Sequence, residues 1–257
     1  MSSVVVIPAR YASTRFPGKP LAPLKGIPVI EHVYRNSLRS KQAGEVIVAT
    51  DSDLIFDAVS SFGGTAVMTS TDHVSGTDRI AEAIRLLSRE YDIIVNVQGD
   101  EPLIEPGMID AVISILDDDR ASIGTLVKRI GNPEEIADPN VVKAVFDEQG
   151  YALYFSRAPV PWHRDEWQGS TAAFAVSRTG ARPDCYKHIG IYSYRKDILF
   201  RLTSLAPSRL EQIEKLEQLR ALEHGMRIKV RKTDSETFGV DTPEDLERIE
   251  KWLNTSL

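Results

Sequence analysis

The feature that most restricts what this chain can fold into is an alternation of two periodicities. Short β-branched runs at residues 4–7, 45–50, 65–68 and 93–97 are each followed by a polar or Gly-containing turn. Between them lie longer segments of helical spacing. Val29, Val33 and Leu38 precede the second run, Leu54, Ile55, Ala58, Val59 and Phe62 lead to Gly63-Gly64, and Ile80, Ala83, Ile84 and Leu87 form a third stripe. Strand–helix alternation of this kind predicts a parallel sheet covered on both faces. The almost unbroken apolar run Ile93-Ile94-Val95-Asn96-Val97 reads as a central strand of that sheet. Composition agrees: 42% of the 257 residues are hydrophobic and 26% charged, ordinary for a globular chain. One cysteine, Cys185, forbids an intrachain disulfide and fits a reducing, cytoplasmic setting. The N-terminal apolar run is too short for a signal peptide, and no stretch approaches the roughly 20 apolar residues of a membrane helix. A net charge of −6 argues against a general nucleic-acid binder.

Past residue 106 a helix at 108–116 and a strand near 122–128 continue the alternation, and then the texture changes. Residues 141–147, the turn Glu148-Gln149-Gly150 and residues 151–156 read as an antiparallel hairpin. Residues 159–185 are irregular, a length that suggests a lid or partner-contacting excursion. Strand pattern resumes at 188–194 and again at 227–231. Between these, Leu210, Ile213, Leu216 and Leu219 predict one helix over 209–224, stopped by Gly225. Thr242 and Pro243 open a last helix as N-cap and first helical residue. The expectation is one domain, 1–257, with 141–195 as an embedded antiparallel subregion.

Chemistry concentrates in the loop after the first strand, Pro8-Ala9-Arg10-Tyr11-Ala12-Ser13-Thr14-Arg15-Phe16-Pro17-Gly18-Lys19-Pro20. It sets Arg10, Arg15 and Lys19 at the C-terminal end of an open-sheet strand, where ligands bind in such folds. Three prolines stiffen it, and fixed cations suit a triphosphate. The loop is neither GxxxxGK[ST] nor GxGxxG, which disfavours a nicotinamide dehydrogenase, and Pro20 blocks helix continuation. A solvated charged loop is the plain alternative. In Asn96-Val97-Gln98-Gly99-Asp100-Glu101-Pro102, Asp100 is placed either for Mg²⁺ or for shaping a turn. Asp241 precedes the cap Thr242, so capping leaves its side chain available, yet 141 positions separate it from Asp100. Ser75-Gly76-Thr77-Asp78-Arg79 is either an anion-receiving turn or a simple helix cap. Arg157, Arg164, Lys187 and His188, interleaved with Trp162, Tyr186 and Tyr192, form a second cationic group suited to a carboxylated, hydroxyl-rich substrate or to no ligand at all. Glu211, Glu214 and Gln218 share a face of the expected helix, as a sugar site or a solvated surface. His32, His73, His163 and His224 fit no metal-ligand spacing.

These segments together resemble the sugar-acid cytidylyltransferases, in particular the 3-deoxy-manno-octulosonate (Kdo) cytidylyltransferase family. The resemblance runs from the Ile7–Leu21 loop through the 75–79 and 96–102 segments. It continues in Tyr151-Ala152-Leu153-Tyr154-Phe155-Ser156-Arg157, Tyr186-Lys187-His188-Ile189-Gly190-Ile191-Tyr192, Glu214-Lys215-Leu216-Glu217-Gln218-Leu219-Arg220 and Gly239-Val240-Asp241-Thr242-Pro243-Glu244-Asp245. It implies a Rossmann-like α/β nucleotidyltransferase fold, a mainly parallel sheet with an antiparallel dimerisation or lid subregion, a homodimer, and the reaction CTP + Kdo → CMP-Kdo + pyrophosphate. Carried over by motif, Arg10, Arg15, Lys19, Asp100 and Asp241 are catalytic. Ala9, Arg10, Arg15, Lys19, Ser75, Gly76, Arg79 and Gln98 meet the nucleotide, and Asp100 and Asp241 hold Mg²⁺. Gln98, Arg157, Arg164, His188, Tyr192, Glu211 and Glu214 meet the sugar acid. Rival readings are the same chemistry on 8-amino-Kdo or a sialic acid, and a non-catalytic nucleotide-binding regulator.

Overall fold

The structure is a computed structural model that describes residues 1–12, 15–165, 167 and 184–255. Most of the expected excursion at 159–185 lies outside the described residues. Along the chain, β1 (Ser3–Ala9) is followed by a 3₁₀ turn at Lys19–Leu21, a small hairpin of β2 (Pro23–Leu24) and β3 (Ile27–Pro28), and α1 (Val29–Ser37). Then come β4 (Glu45–Thr50), α2 (Asp53–Ser61), β5 (Ala66–Met68), α3 (Gly76–Leu86), β6 (Ile93–Asn96), α4 (Pro106–Ile115) and β7 (Ile123–Arg129). A short α5 (Glu134–Ala137) leads to β8 (Lys143–Phe146), β9 (Ala152–Ser156) and the long β10 (Tyr186–Arg195). The chain continues through α6 (Lys196–Ser204), α7 (Arg209–Glu214), α8 (Gln218–Glu223), β11 (Ile228–Lys232) and α9 (Pro243–Thr255).

The main sheet runs β11-β7-β10-β6-β1-β4-β5, with β8 and β9 attached beside β10. β1, β4, β5 and β6 are mutually parallel, as are β7 and β11, whereas β10 is antiparallel to both β6 and β7. The expected hairpin is β8–β9, antiparallel through Lys143↔Ser156 and Ala144↔Phe155. Two cores follow from strand pleating. Val5 and Ile7 of β1, Val46 and Val48 of β4, and Val95 of β6 face α1, α2 and α4. Val4 and Val6, Ile47 and Ala49, and Ile94 face α3 and α6. Val4, Val5, Val6 and Ile7 are all fully buried, which is why the first strand reads as apolar on every position.

Crossovers from β1 proceed outward through β4 to β5, and the chain then returns to place β6 on the other side of β1. The connections therefore diverge between β1 and β6, which opens a crevice at their C-terminal ends. One expectation fails. The helix predicted over 209–224 is two helices, broken where Lys215 takes a left-handed conformation at φ 55°. Ile213, expected in the core stripe, is consequently 63% exposed. No described helix is long and apolar enough to cross a membrane.

Candidate active site at the β1–β6 crevice

A cavity of about 310 Å³ occupies the crevice. Four separate segments line it: Pro8, Ala9, Arg10, Arg15, Lys19 and Pro20 after β1; His73 to Gly76 and Arg79 at the start of α3; Gln98, Gly99 and Asp100 after β6; and Asp241 before α9.

The loop after β1 is shaped by Gly18, whose φ of 73° is accessible to glycine and costly for other residues. Its N–H donates to the Tyr11 carbonyl at 2.9 Å, and a Cβ there would stand 3.2 Å from the Tyr11 ring. Pro20 sits inside a single 3₁₀ turn, so no helix follows Lys19. The Lys19 side chain, only 16% exposed, is turned inward. Its ammonium contacts Asp100 and lies 3.2 Å from Asp241 Oδ1, while Arg15 Nη2 lies 3.0 Å from Asp241 Oδ2. The two aspartates far apart in sequence thus meet on one lysine. The Val240 N–H donates to the Asp100 carbonyl at 2.8 Å, which holds their backbones side by side. Asp245 accepts from the N–H groups of Asp241 and Thr242, each at 3.0 Å, and Thr242 Oγ1 accepts from Asp245 N at 3.3 Å. Capping thus consumes Thr242 and Asp245 and leaves the Asp241 carboxylate facing the cavity.

At α3, Ser75 Oγ accepts from the Asp78 N–H at 3.1 Å, so Ser75 is the cap and a cavity-lining residue at once. The N-terminal end of this 11-residue helix, with its positive dipole, opens on the cavity. Arg79 is buried and tied down, donating to Asp51 Oδ2 and to Thr69 Oγ1, both at 2.6 Å. It braces the ends of β4 and β5 beneath the site. Arg10, by contrast, makes no ion pair with any described residue.

The acceptor group expected around Arg157 lies elsewhere and is heavily engaged. Glu214 accepts from Ser156 Oγ at 2.7 Å and from the Arg157 N–H at 2.9 Å, and the Arg157 guanidinium donates to the Glu214 and Pro139 carbonyls at 2.7 Å each. Glu211 does not share an open face with Glu214. Both its oxygens accept from Arg220, and Oε2 also accepts from the Ser208 N–H. Burial opposes ionisation of Glu211, but the Arg220 bonds outweigh it and hold the carboxyl below its usual range. His188 stands between the rings of Phe155 and Tyr192, with centroids 5.2 Å away on each side. Its Nε2 lies 2.9 Å from Thr125 Oγ1, and burial pushes its pKa down to about 3, so it is neutral. Burial raises the Tyr192 phenol. Gln98 links the two regions, since its Nε2 donates to the Gly190 carbonyl of β10 at 3.4 Å. Arg164 is exposed in a turn and does not line the cavity. Lys187 is committed to Glu135 and Glu236, at 2.6 and 2.7 Å.

Three features escaped the sequence reading. His73 lines the cavity and pairs with Glu82 at 2.5 Å; its place two residues before Ser75 was the available signal. Glu217 is largely buried beneath the turn, accepts from Thr77 Oγ1, and has its carboxyl raised chiefly by burial. Glu101, next to Asp100, has a buried Oε2 without a hydrogen-bond partner among the described residues, and burial with the neighbouring Asp100 charge pushes it up to about 8.

Among the described residues no group of three or more His, Cys, Asp or Glu side chains could cage a metal. Two hard carboxylates at a polyanion-sized cleft instead fit Mg²⁺, which is usually held by one or two carboxylates with substrate phosphates and water.

Residues 4–228 match the family model described as cytidylyltransferase. A 3-deoxy-manno-octulosonate cytidylyltransferase of Thermodesulfovibrio yellowstonii is 53% identical over 261 residues, covering 99% of both chains. One from Geobacter sulfurreducens is 52% identical, covering 97% of this chain and 98% of its own. Among solved structures, a CMP:2-keto-3-deoxy-manno-octonic acid synthetase complexed with CTP superposes with a TM-score of 0.89 at 40% identity, over the whole of both chains.

Proposed function

This chain belongs to the cytidylyltransferase family, and from that premise we propose that its β1–β6 cavity binds CTP with a divalent metal and activates an acid sugar. The reaction is transfer of the cytidylyl group from CTP to the anomeric hydroxyl of 3-deoxy-manno-octulosonate, releasing pyrophosphate. The observation that carries the reading is the convergence of Asp100 and Asp241 on Lys19 inside a cleft lined by Arg10 and Arg15.

Arg10, Arg15 and Lys19 gather the triphosphate and stabilise charge that grows on its oxygens as pyrophosphate leaves. Ala9, Ser75, Gly76 and the N-terminus of α3 border the nucleotide, and Arg79 keeps that border rigid. Asp100 and Asp241 would hold Mg²⁺, which when bound supplies Lewis-acid charge to the phosphate oxygens. Gln98 reaches from the cavity toward His188 and Tyr192, and this supports an acceptor site beside β10. There, neutral His188 and the Arg157–Glu214 pair orient the sugar acid, with Arg164 contributing from the adjoining turn. Glu211 acts on this site by holding α7 against Arg220. Aligning the acceptor hydroxyl with the α-phosphorus is the protein's main contribution. The reading extends to a single domain over 1–257, a homodimer and a cytoplasmic enzyme.

The experiment is pyrophosphate release across four nucleotides and a panel of sugar acids. CTP with Kdo and Mg²⁺ should give the fastest release. A faster rate with 8-amino-Kdo or a sialic acid would reassign the acceptor, and no release with any pair would leave a nucleotide-binding regulator. Asp100→Asn and Asp241→Asn should each lower turnover by orders of magnitude while CTP still binds. Turnover within a few-fold of the parent would refute the metal assignment.

A further inference from the structure

Lys19 has two sets of partners competing for one charge. Its ammonium lies between Asp100 and Asp241, the space that a divalent cation shared by the two carboxylates would take. The same ammonium lines the cavity that receives a triphosphate. Two carboxylates brought this close repel each other unless a positive charge separates them. Of the two aspartates Arg15 pairs with Asp241 alone, and it is 67% exposed, so the task falls to the better-buried Lys19.

Resting on the reading of Asp100 and Asp241 as metal ligands, we propose that Lys19 makes the site selective for the metal–nucleotide complex over the free metal. Without nucleotide, the ammonium holds the carboxylate pair in place and competes with any cation for it. A metal arriving with a triphosphate brings a second anion that draws the ammonium away. The side chain suits this exchange: a compact charge on a flexible four-carbon stem, anchored at Cα between left-handed Gly18 and rigid Pro20. Metal and nucleotide are then coupled through Lys19, and the coupling is reciprocal.

This role differs in sign from simple phosphate binding. Removing a lysine that only binds phosphate weakens CTP and leaves the affinity for metal alone unchanged. Removing one that guards the carboxylates tightens the metal alone. The probe is Mn²⁺ without nucleotide, with free and bound ion separated by electron paramagnetic resonance. Lys19→Met and Lys19→Gln should bind Mn²⁺ at least about fivefold more tightly than the parent, the low end of ordinary coupling between sites. Asp241→Asn added to Lys19→Met should cancel the gain. Arg10→Met, which removes a cavity cation that pairs with no carboxylate among the described residues, should stay near the parent. An equal gain from Arg10→Met reduces the effect to general charge and overturns the proposal. So does the absence of a gain in the Lys19 variants, even if Mn²⁺–CTP binding still depends on Asp100 and Asp241, in which case the metal assignment stands alone. Mn²⁺–CTP binding unaffected by either aspartate variant would instead sink the metal assignment. A measurement on the parent removes any question of folding. Acylation of Lys19, read by mass spectrometry, should rise as Mn²⁺ alone is titrated to saturation and fall when CTP is added. A rate indifferent to Mn²⁺ overturns the proposal.

Discussion

At Gly99 a Cβ would stand 2.8 Å from the Pro8 carbonyl oxygen, backbone against backbone, with no flexible side chain to yield. That missing atom lets the segment after β6 lie against the end of β1, and it sets where Asp100 begins. Gly99→Ala should therefore cost about 1–3 kcal/mol, the scale of inserting a methyl into a filled space, and lower kcat with it. Urea unfolding and steady-state kinetics check both. Gly107, inside α4 with open space around its Cα, should respond with the opposite sign. Gly107→Ala should stabilise by roughly 0.4–1 kcal/mol, by reducing the entropy of the unfolded chain at a position whose conformation alanine can adopt. Lys19→Ala should lower transition-state stabilisation by about 2–4 kcal/mol, as for one preorganised donor, measured as kcat at saturating substrates. Ser75 shows how residue-scale readings merge: cap and anion-receiving turn were alternatives in the sequence, and one hydroxyl that caps α3 also lines the cavity.

Among elements, the segment between β11 and α9 decides whether the second aspartate reaches the first. Glu236 is clamped between Lys128 of β7 and Lys187 of β10, and Thr233 N donates to the Val127 carbonyl at 2.9 Å. Phe238 packs against Trp252 of α9 in a tilted arrangement, with centroids 5.3 Å apart. With Asp241 holding the metal as proposed, Glu236→Gln should raise the Mg²⁺ concentration for half-activation by up to about 10-fold, the scale of losing outer support for a metal ligand, while the KM for CTP stays near the parent's. A metal titration of activity reads this directly. Most elements were legible because periodicity reports burial: β1, β4, β6 and β7 face core on both sides, and α3 carries a single stripe. The 209–224 segment misled for a physical reason. Its apolar spacing is helical throughout, but the Glu211–Arg220 pair folds α8 back on α7, and Lys215 absorbs the turn in a conformation that no pattern of apolar residues announces. The Asp100–Asp241 meeting left no trace in the residue pattern either, and only the resemblance to the cytidylyltransferases paired the two. The meeting depends on a backbone hydrogen bond from Val240 and on lysines from two other strands, none of which leaves a local trace.

For the whole molecule, one sheet divides two cores, and the crevice lies where the crossovers part. The antiparallel insertion of β10 carries neutral His188 into the sheet, in contact with Thr125, Phe155 and Tyr192. Its folded pKa of about 3 lies below the unfolded 6.5, so below neutrality the unfolded chain takes up a proton that the native state refuses. The associated stability is intact above pH 6.5 and is lost as pH falls toward 3, with a slope of at most about 1.4 kcal/mol per pH unit. Urea midpoints between pH 7.5 and 5 should therefore fall more steeply for the parent than for His188→Gln. Equal slopes would show that His188 protonates in the native state.

The bond from Val240 to Asp100 has one more consequence, for the nascent chain. The last described strand, β11, ends at residue 232, yet a chain reaching only that far lacks one of the crevice's two acidic arms. A polypeptide arrested at that point would lack Val240 and Ile249 from its core and would set the cationic loop against Asp100 alone. On the proposed metal assignment, translation must pass residue 241 before the chain can turn over CTP.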